Sequence, residues 1–97
     1  MPFVQIIDFN TSRFNDADEY VDEFRKATEG RRTVQRVRVC RDRDKPGHYF
    51  TIAEFDSYEE AMRNSQMPET QKFAEQLATL ADLPPTFYNL EVVRDDS

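Results

Sequence analysis

The sequence predicts an α+β chain of ferredoxin-like βαββαβ order, built on a four-stranded antiparallel sheet with its helices on one face. Three observations lead there. Residues 3–9, 48–55 and 86–94 read as strands, rich in β-branched and aromatic residues and apolar on both faces. Between them lie helical stripes with apolar residues three and four apart. Clusters of Asn, Asp, Gly and Pro fall at the joints. A length of 97 residues is that of one domain, taken as 1–97.

The first strand, residues 3–9, carries Phe3, Gln5, Ile7 and Phe9 on one face and Val4, Ile6 and Asp8 on the other. A polar connection, Asn10 to Arg13, follows. Asn15 is expected to cap a helix, with Asp16, Asp18 and Glu19 at its positive end. That helix runs to about Thr28, with Ala17, Tyr20, Val21 and Phe24 inward and Gly30 ending it. Val34, Val37 and Val39 mark a second strand as far as Arg41. The run from Asp42 to Gly47 is a turn, which makes strands two and three an antiparallel hairpin.

His48–Phe55 is the third strand. Ser57 with Glu60 forms a capping box for a short helix with Ala61 and Met62 inward. Pro68 breaks the run and suits the first turn of a further helix. Phe73, Leu77 and Leu80 form its stripe, and Pro84 with Pro85 stops it. Residues 86–94 are the last strand, and Asp95 to Ser97 a frayed tail.

A strand apolar on both faces needs cover on both sides. Helices cover one side of so small a sheet. The open face therefore calls for a second copy, since two-fold pairing is the commonest assembly. A homodimer with apposed sheets is expected, and a monomer with an exposed patch is the rival.

The formal charge of −6, from 19 acidic and 13 basic residues, argues against nucleic acid as the main partner. The basic cluster Arg31, Arg32, Arg36, Arg38, Arg41 and Arg43 is offset by Asp42 and Asp44. With two glycines, Gly30 and Gly47, no phosphate-cradling motif is present. No apolar stretch is long enough for a membrane helix, and no signal peptide is read. A single cysteine, Cys40, fits a reducing, cytoplasmic setting.

Few residues point to chemistry. His48 is the only histidine and is either a general base or a hairpin-end side chain. Cys40 stands between Arg38 and Arg41, so it is either an activated thiol or a small packed hydrophobe. His48 and Cys40 together supply too few ligands for a zinc site. Asp8 and Glu54 would form an acid–base pair if about 5–9 Å apart, or pair with Arg36 and Arg38 instead. Phe9, Phe24, Tyr49, Phe55, Phe73 and Tyr88 would line a pocket between sheet and helices for a flat apolar ligand, rimmed by residues 64–69. The alternative is that these rings are simply core.

The segment from Tyr49 through Ser57 to Ala61 resembles the antibiotic-biosynthesis-monooxygenase type of domain in the dimeric α+β barrel superfamily. There a strand of this kind leads into a capped helix containing Glu-Ala, here Glu60-Ala61. The run from Met67 to Phe73 is similar to that family's Pro-containing helix start. The resemblance spans nearly the whole chain. It implies a homodimer of apposed sheets with a small-molecule site between sheet and helices.

The family's helical histidines are replaced here by Asn64 and Glu69, and the chain has no Trp. That departs from the haem-degrading relatives, so no cofactor or metal is expected. Two functions follow from the resemblance. One is the binding of a small aromatic or polyketide-like metabolite without turnover. The other is a cofactor-independent monooxygenase acting on a phenolic or quinol-type substrate. His48 or a pocket carboxylate would then be the base, with Asn64, Tyr58 or Arg36 at the oxyanion. A third reading, a purely structural dimer with a solid core, has no cavity at all.

Overall fold

The computed structural model describes residues 1–96; the expectation for Ser97 lies outside the described residues. The elements run β1 (Phe3–Asn10), α1 (Phe14–Ala27), β2 (Arg36–Arg41), β3 (His48–Phe55), α2 (Tyr58–Ser65), α3 (Pro68–Leu80) and β4 (Thr86–Glu91). The sheet order is β2-β3-β1-β4, antiparallel throughout. This is the expected ferredoxin-like α+β arrangement, with its second helical region in two pieces.

Register decides which residues share a face. Phe3 lies opposite Phe55 and Glu91, Gln5 opposite Ala53 and Asn89, and Ile7 opposite Thr51 and Phe87. These residues face the helices, since Phe3 packs with Phe55 and Ala61 of α2. Val4, Ile6, Asp8, Phe50, Ile52, Tyr88 and Leu90 occupy the opposite, open face. Tyr88 and Leu90 are about half exposed there, at 45% and 43%.

Several boundaries differ from expectation, each for a local reason. Asn15 does not cap α1. Arg13 takes the N-cap position with no side-chain cap. Buried Thr11 sets that entry: its hydroxyl donates to the Leu80 carbonyl at 2.7 Å and accepts from the Arg13 amide at 2.9 Å. At the other end α1 closes at Ala27 with Thr28 as its C-cap, as expected, and Gly30 follows with a φ of 80°. The Thr28 hydroxyl and amide both donate to the Phe24 carbonyl, at 2.7 and 3.1 Å, and the side chain is fully buried.

β2 begins at Arg36, two residues after Val34. Thr33 is drawn to α2 instead, its hydroxyl donating to the Glu60 carbonyl at 2.6 Å. β4 ends at Glu91, though the Val92 amide still donates to the Pro2 carbonyl at 3.0 Å. Val93 is 89% exposed. The Ser57 cap forms as expected, accepting from the Glu60 amide at 3.2 Å.

The buried core is small and divided. One cluster is Phe3, Phe55 and Ala61, with Val34, Ala53 and Met62 against it. The other is Phe9, Ala17 and Leu80, with Ile7, Tyr20, Leu77 and Ala81. Surface is correspondingly large. The accessible area is 7009 Å² for an 11.5 kDa chain, whereas a compact monomer of that mass exposes about 5,800 Å².

Candidate functional site

Between the two core clusters the helix side of the sheet turns polar. Along β1 the order is Phe3, Gln5, Ile7, Phe9 on that face. Gln5 lies between Asn89 of β4 and Ala53 of β3, and its amide donates to Asn89 Oδ1 at 3.2 Å. Thr51, opposite Ile7, extends the strip. Three uncharged donor–acceptor side chains thus lie between the two clusters, Gln5 and Thr51 half-buried and Asn89 exposed on the edge strand, where its bond to Gln5 is open to solvent. A glutamine, an asparagine and a threonine can each offer a hydrogen-bond donor and an acceptor.

The aromatic residues expected around a pocket are mostly engaged with one another. Phe9 and Phe55 are buried, one in each cluster. Phe24 of α1 stacks on Phe73 of α3 at 4.9 Å between centroids. Tyr49 stacks on Phe14 at 4.5 Å, and Arg41 lies 5.9 Å from the Tyr49 ring. Tyr88 does not join them. Its register partner Ile6 puts it on the open face, away from the helices. Two open clefts of about 440 and 460 Å³ lie at the strand ends, one beside Phe14 and Tyr49 and one beside Gly47 and Leu83.

The break between α2 and α3 is the second polar feature of the helix side. Asn64 is buried, 9% exposed, and its Oδ1 accepts from the Thr33 amide at 3.4 Å. Its Nδ2 has no partner among the described residues. At the start of α3, the buried Glu69 Oε1 and Thr70 Oγ1 also lack partners there. Buried polar groups are normally hydrogen-bonded, so Glu69 Oε1 and Thr70 Oγ1 are the unspent buried acceptor and hydroxyl at this break. The other Glu69 oxygen accepts from Arg31, which also donates to the Ala27 carbonyl at 2.6 Å. That contact lowers the Glu69 carboxyl from its ordinary range and raises the Arg31 guanidinium. Tyr58 sits at the start of α2, half exposed, its ring edge-on to Phe3 at 5.5 Å.

His48 stands apart from Asn64 and Tyr58. It is on the open face, where Nδ1 lies 2.8 Å from Asp42 Oδ2 and Nε2 lies 2.6 Å from Asp8 Oδ1. Its side chain is 12% exposed. Hydrogen bonds to Asp42 and then Asp8 raise its pKa, outweighing burial. Asp42 is lowered, first by the Asp44 amide and then by His48. An imidazole with both nitrogens spent on carboxylates has no free lone pair to take a substrate proton. The site residues expected together are therefore split between the two faces of the sheet, with His48 and Tyr88 on one and Asn64, Tyr58 and the remaining rings on the other.

The Asp8–Glu54 pair does not form. Glu54 lies opposite Val4 and Arg36, four residues from Asp8 along β1, or about 13 Å. Cys40 is exposed on the open face beside Phe50 in register. The Asp8–His48 contact is a strand-register feature. It becomes legible once β1 and β3 are known to be neighbours, because both residues then share a phase at one end of the pair.

No family model matches the chain, and no curated protein is similar to it in sequence. Solved structures are similar in fold. Rv0793 from Mycobacterium tuberculosis superposes with a TM-score of 0.79 at 16% identity, covering 100% of both chains. SnoaB, a cofactor-independent oxygenase from Streptomyces nogalater, gives 0.81 at 15% identity, covering 97% of this chain and 95% of its own. An antibiotic biosynthesis monooxygenase gives 0.76 at 15% identity, covering 97% and 100%. With its four-stranded antiparallel sheet and its broken second helical region, the chain shares the fold of these solved antibiotic-biosynthesis-monooxygenase-like structures.

Proposed function

We propose that this protein is a homodimer that binds a small aromatic, polyketide-like metabolite between its sheet and its helices. The observation that carries this reading is the divided core. A chain selected only for stability gains by continuing an apolar layer through its middle. Here Gln5, Asn89 and Thr51 lie between the two clusters, with the unpartnered amide of Asn64 at the helix break. A flat ligand would supply apolar surface to Phe24 and Phe73 and polar groups to the strip.

The second copy belongs to the same reading. The surface beyond that of a compact monomer, about 1,200 Å², exceeds the roughly 800 Å² each partner buries in a standard interface. The open face offers Val4, Ile6, Phe50, Ile52, Tyr88 and Leu90 for it. Among the described residues no helix is long and apolar enough to cross a membrane, and a cytoplasmic setting is part of the proposal.

A catalytic version is favoured by one specific observation, the buried Asn64 with a donor to spare. In a cofactor-independent oxygenase the substrate reacts with O2 as an electron-rich anion, and a positioned amide N–H would stabilise the oxyanion. SnoaB is described as such an oxygenase, and the shared fold makes this chemistry worth testing. Isothermal titration of dihydroxynaphthalene and anthrone substrates, followed by oxygen-electrode assays with and without air, separates the two versions. Binding with oxygen uptake supports the oxygenase. Binding without uptake leaves a carrier. No binding of either class contradicts the ligand reading.

A further inference from the structure

We propose that His48 locks the open sheet face for pairing with a second copy, holding Asp8 and Asp42 together only while both of its ring nitrogens carry hydrogens. The inference rests on the homodimer proposed above. Its geometry is already fixed within one chain. Asp8 comes from β1, Asp42 from the β2–β3 turn, and His48 from the first position of β3. The ring bonds Asp8 at 2.6 Å and Asp42 at 2.8 Å, with its side chain 12% exposed and the two carboxylates 25% and 26%.

Two carboxylates accept and do not donate, so both contacts are hydrogen bonds only when the ring is an imidazolium. A neutral ring carries one N–H. It would turn a lone pair toward one of the two carboxylates, and the charge of the cluster would pass from −1 to −2. On a free surface, water absorbs that change. Beneath a second sheet it does not, because an uncompensated buried charge is costly. Pairing is therefore favoured by the charged ring.

The groups around the cluster leave this balance to His48. On its own strand, Phe50 packs its ring 4.6 Å away. From the turn, the Asp44 amide donates to Asp42 Oδ1 at 2.9 Å, and Lys45 acts on Asp42 only through space. On β1, Asn10 lies opposite His48 and is uncharged. On β4, Thr86 lies opposite Asp8. On β2, the open-face residues are Cys40 and then the arginines Arg38 and Arg36, further from the turn. Beside the cluster the open face carries Ile6, Ile52 and Tyr88, with Arg38, Arg36 and Glu54 beyond them, so a second sheet seated there would shield the cluster from water.

Sedimentation equilibrium on the whole chain from pH 6 to pH 9 tests the lock. The wild-type dimer Kd should rise about tenfold or more across that range, the equivalent of a one-unit pKa difference between dimer and monomer. His48→Gln and Asp8→Asn should each flatten the dependence, with circular dichroism reporting that each variant is folded. The imidazole resonances of His48, followed by NMR, should titrate at a higher pH in the dimer than in a monomeric Ile6→Asp variant. A dimer whose Kd does not change with pH overturns the lock and leaves the homodimer standing. A pH slope that survives in both folded variants also overturns it, because another group would then be responsible. A monomer at every pH overturns both.

Discussion

The divided core makes a quantitative prediction. Phe9 and Phe55 belong to separate buried clusters, whereas Phe3 and Phe55 share one with their rings 6.5 Å apart. Phe55 lies opposite Phe3, which is six residues from Phe9 along β1, so Phe9 and Phe55 are about 20 Å apart. Each Phe→Leu change removes the equivalent of one or two methylenes and leaves a small void, at a cost of about 1–2 kcal/mol. Sites beyond about 10 Å with no shared partners add to within about 0.5 kcal/mol. Phe9→Leu with Phe55→Leu should therefore be additive. Phe3→Leu with Phe55→Leu should deviate by about 0.5 kcal/mol or more, since contacting residues couple. Urea unfolding of the three single and two double variants, at fixed protein concentration, measures this directly. A coupling above about 1 kcal/mol between Phe9 and Phe55 would refute the divided core, and with it the space assigned to a ligand.

Other outcomes follow from named contacts. Ile6→Asp places a charge in the middle of the open face and should convert the proposed dimer to an 11.5 kDa monomer by light scattering. Ser57→Ala removes the α2 cap and should cost about 1 kcal/mol in chemical unfolding. Asn64→Ala should weaken binding of a phenolic ligand about tenfold by calorimetry, the loss of one net hydrogen bond, while the circular dichroism spectrum stays unchanged. Stability should also depend on pH in a defined sense. His48 has a raised pKa, so its contribution is complete below about 6.5 and fades as pH rises through the higher folded value. Asp42 is depressed, so its contribution is complete above its ordinary range and fades as pH falls through the lower folded value. Thermal unfolding of wild type against His48→Gln should lose the alkaline limb in the variant.

Much of the fold was legible because hydrophobic period and breakers act locally. The three-and-four spacing of Ala17, Tyr20 and Phe24, the Ser57–Glu60 cap and Pro68 at the start of α3 each specify their element with no help from the rest of the chain. Boundaries set from a distance were not legible. Thr11 fixes the start of α1 through the Leu80 carbonyl, and Thr33 delays β2 by bonding to α2. Which candidate residues share a face was hidden for a similar reason. Alternation alone gives two faces to each strand, but not which face the helices cover, so the sequence does not separate Tyr88 from the rings on the other side. His48 reads from sequence as either a base or a hairpin-end side chain, with no partner in view. Its two carboxylates come from β1 and the hairpin turn, 40 and 6 residues away in sequence, and only the sheet register brings all three together.

The central claim is a ligand site between sheet and helices, centred on the polar strip. Titration of uniformly 15N-labelled protein with a dihydroxynaphthalene, read by side-chain amide and backbone resonances, tests it most directly. Saturable shifts are expected at Gln5, Asn64 and Asn89 and at the amides of Phe24 and Phe73, with His48 unmoved. Shifts confined to the open face, or none at these positions at saturating ligand, would contradict it.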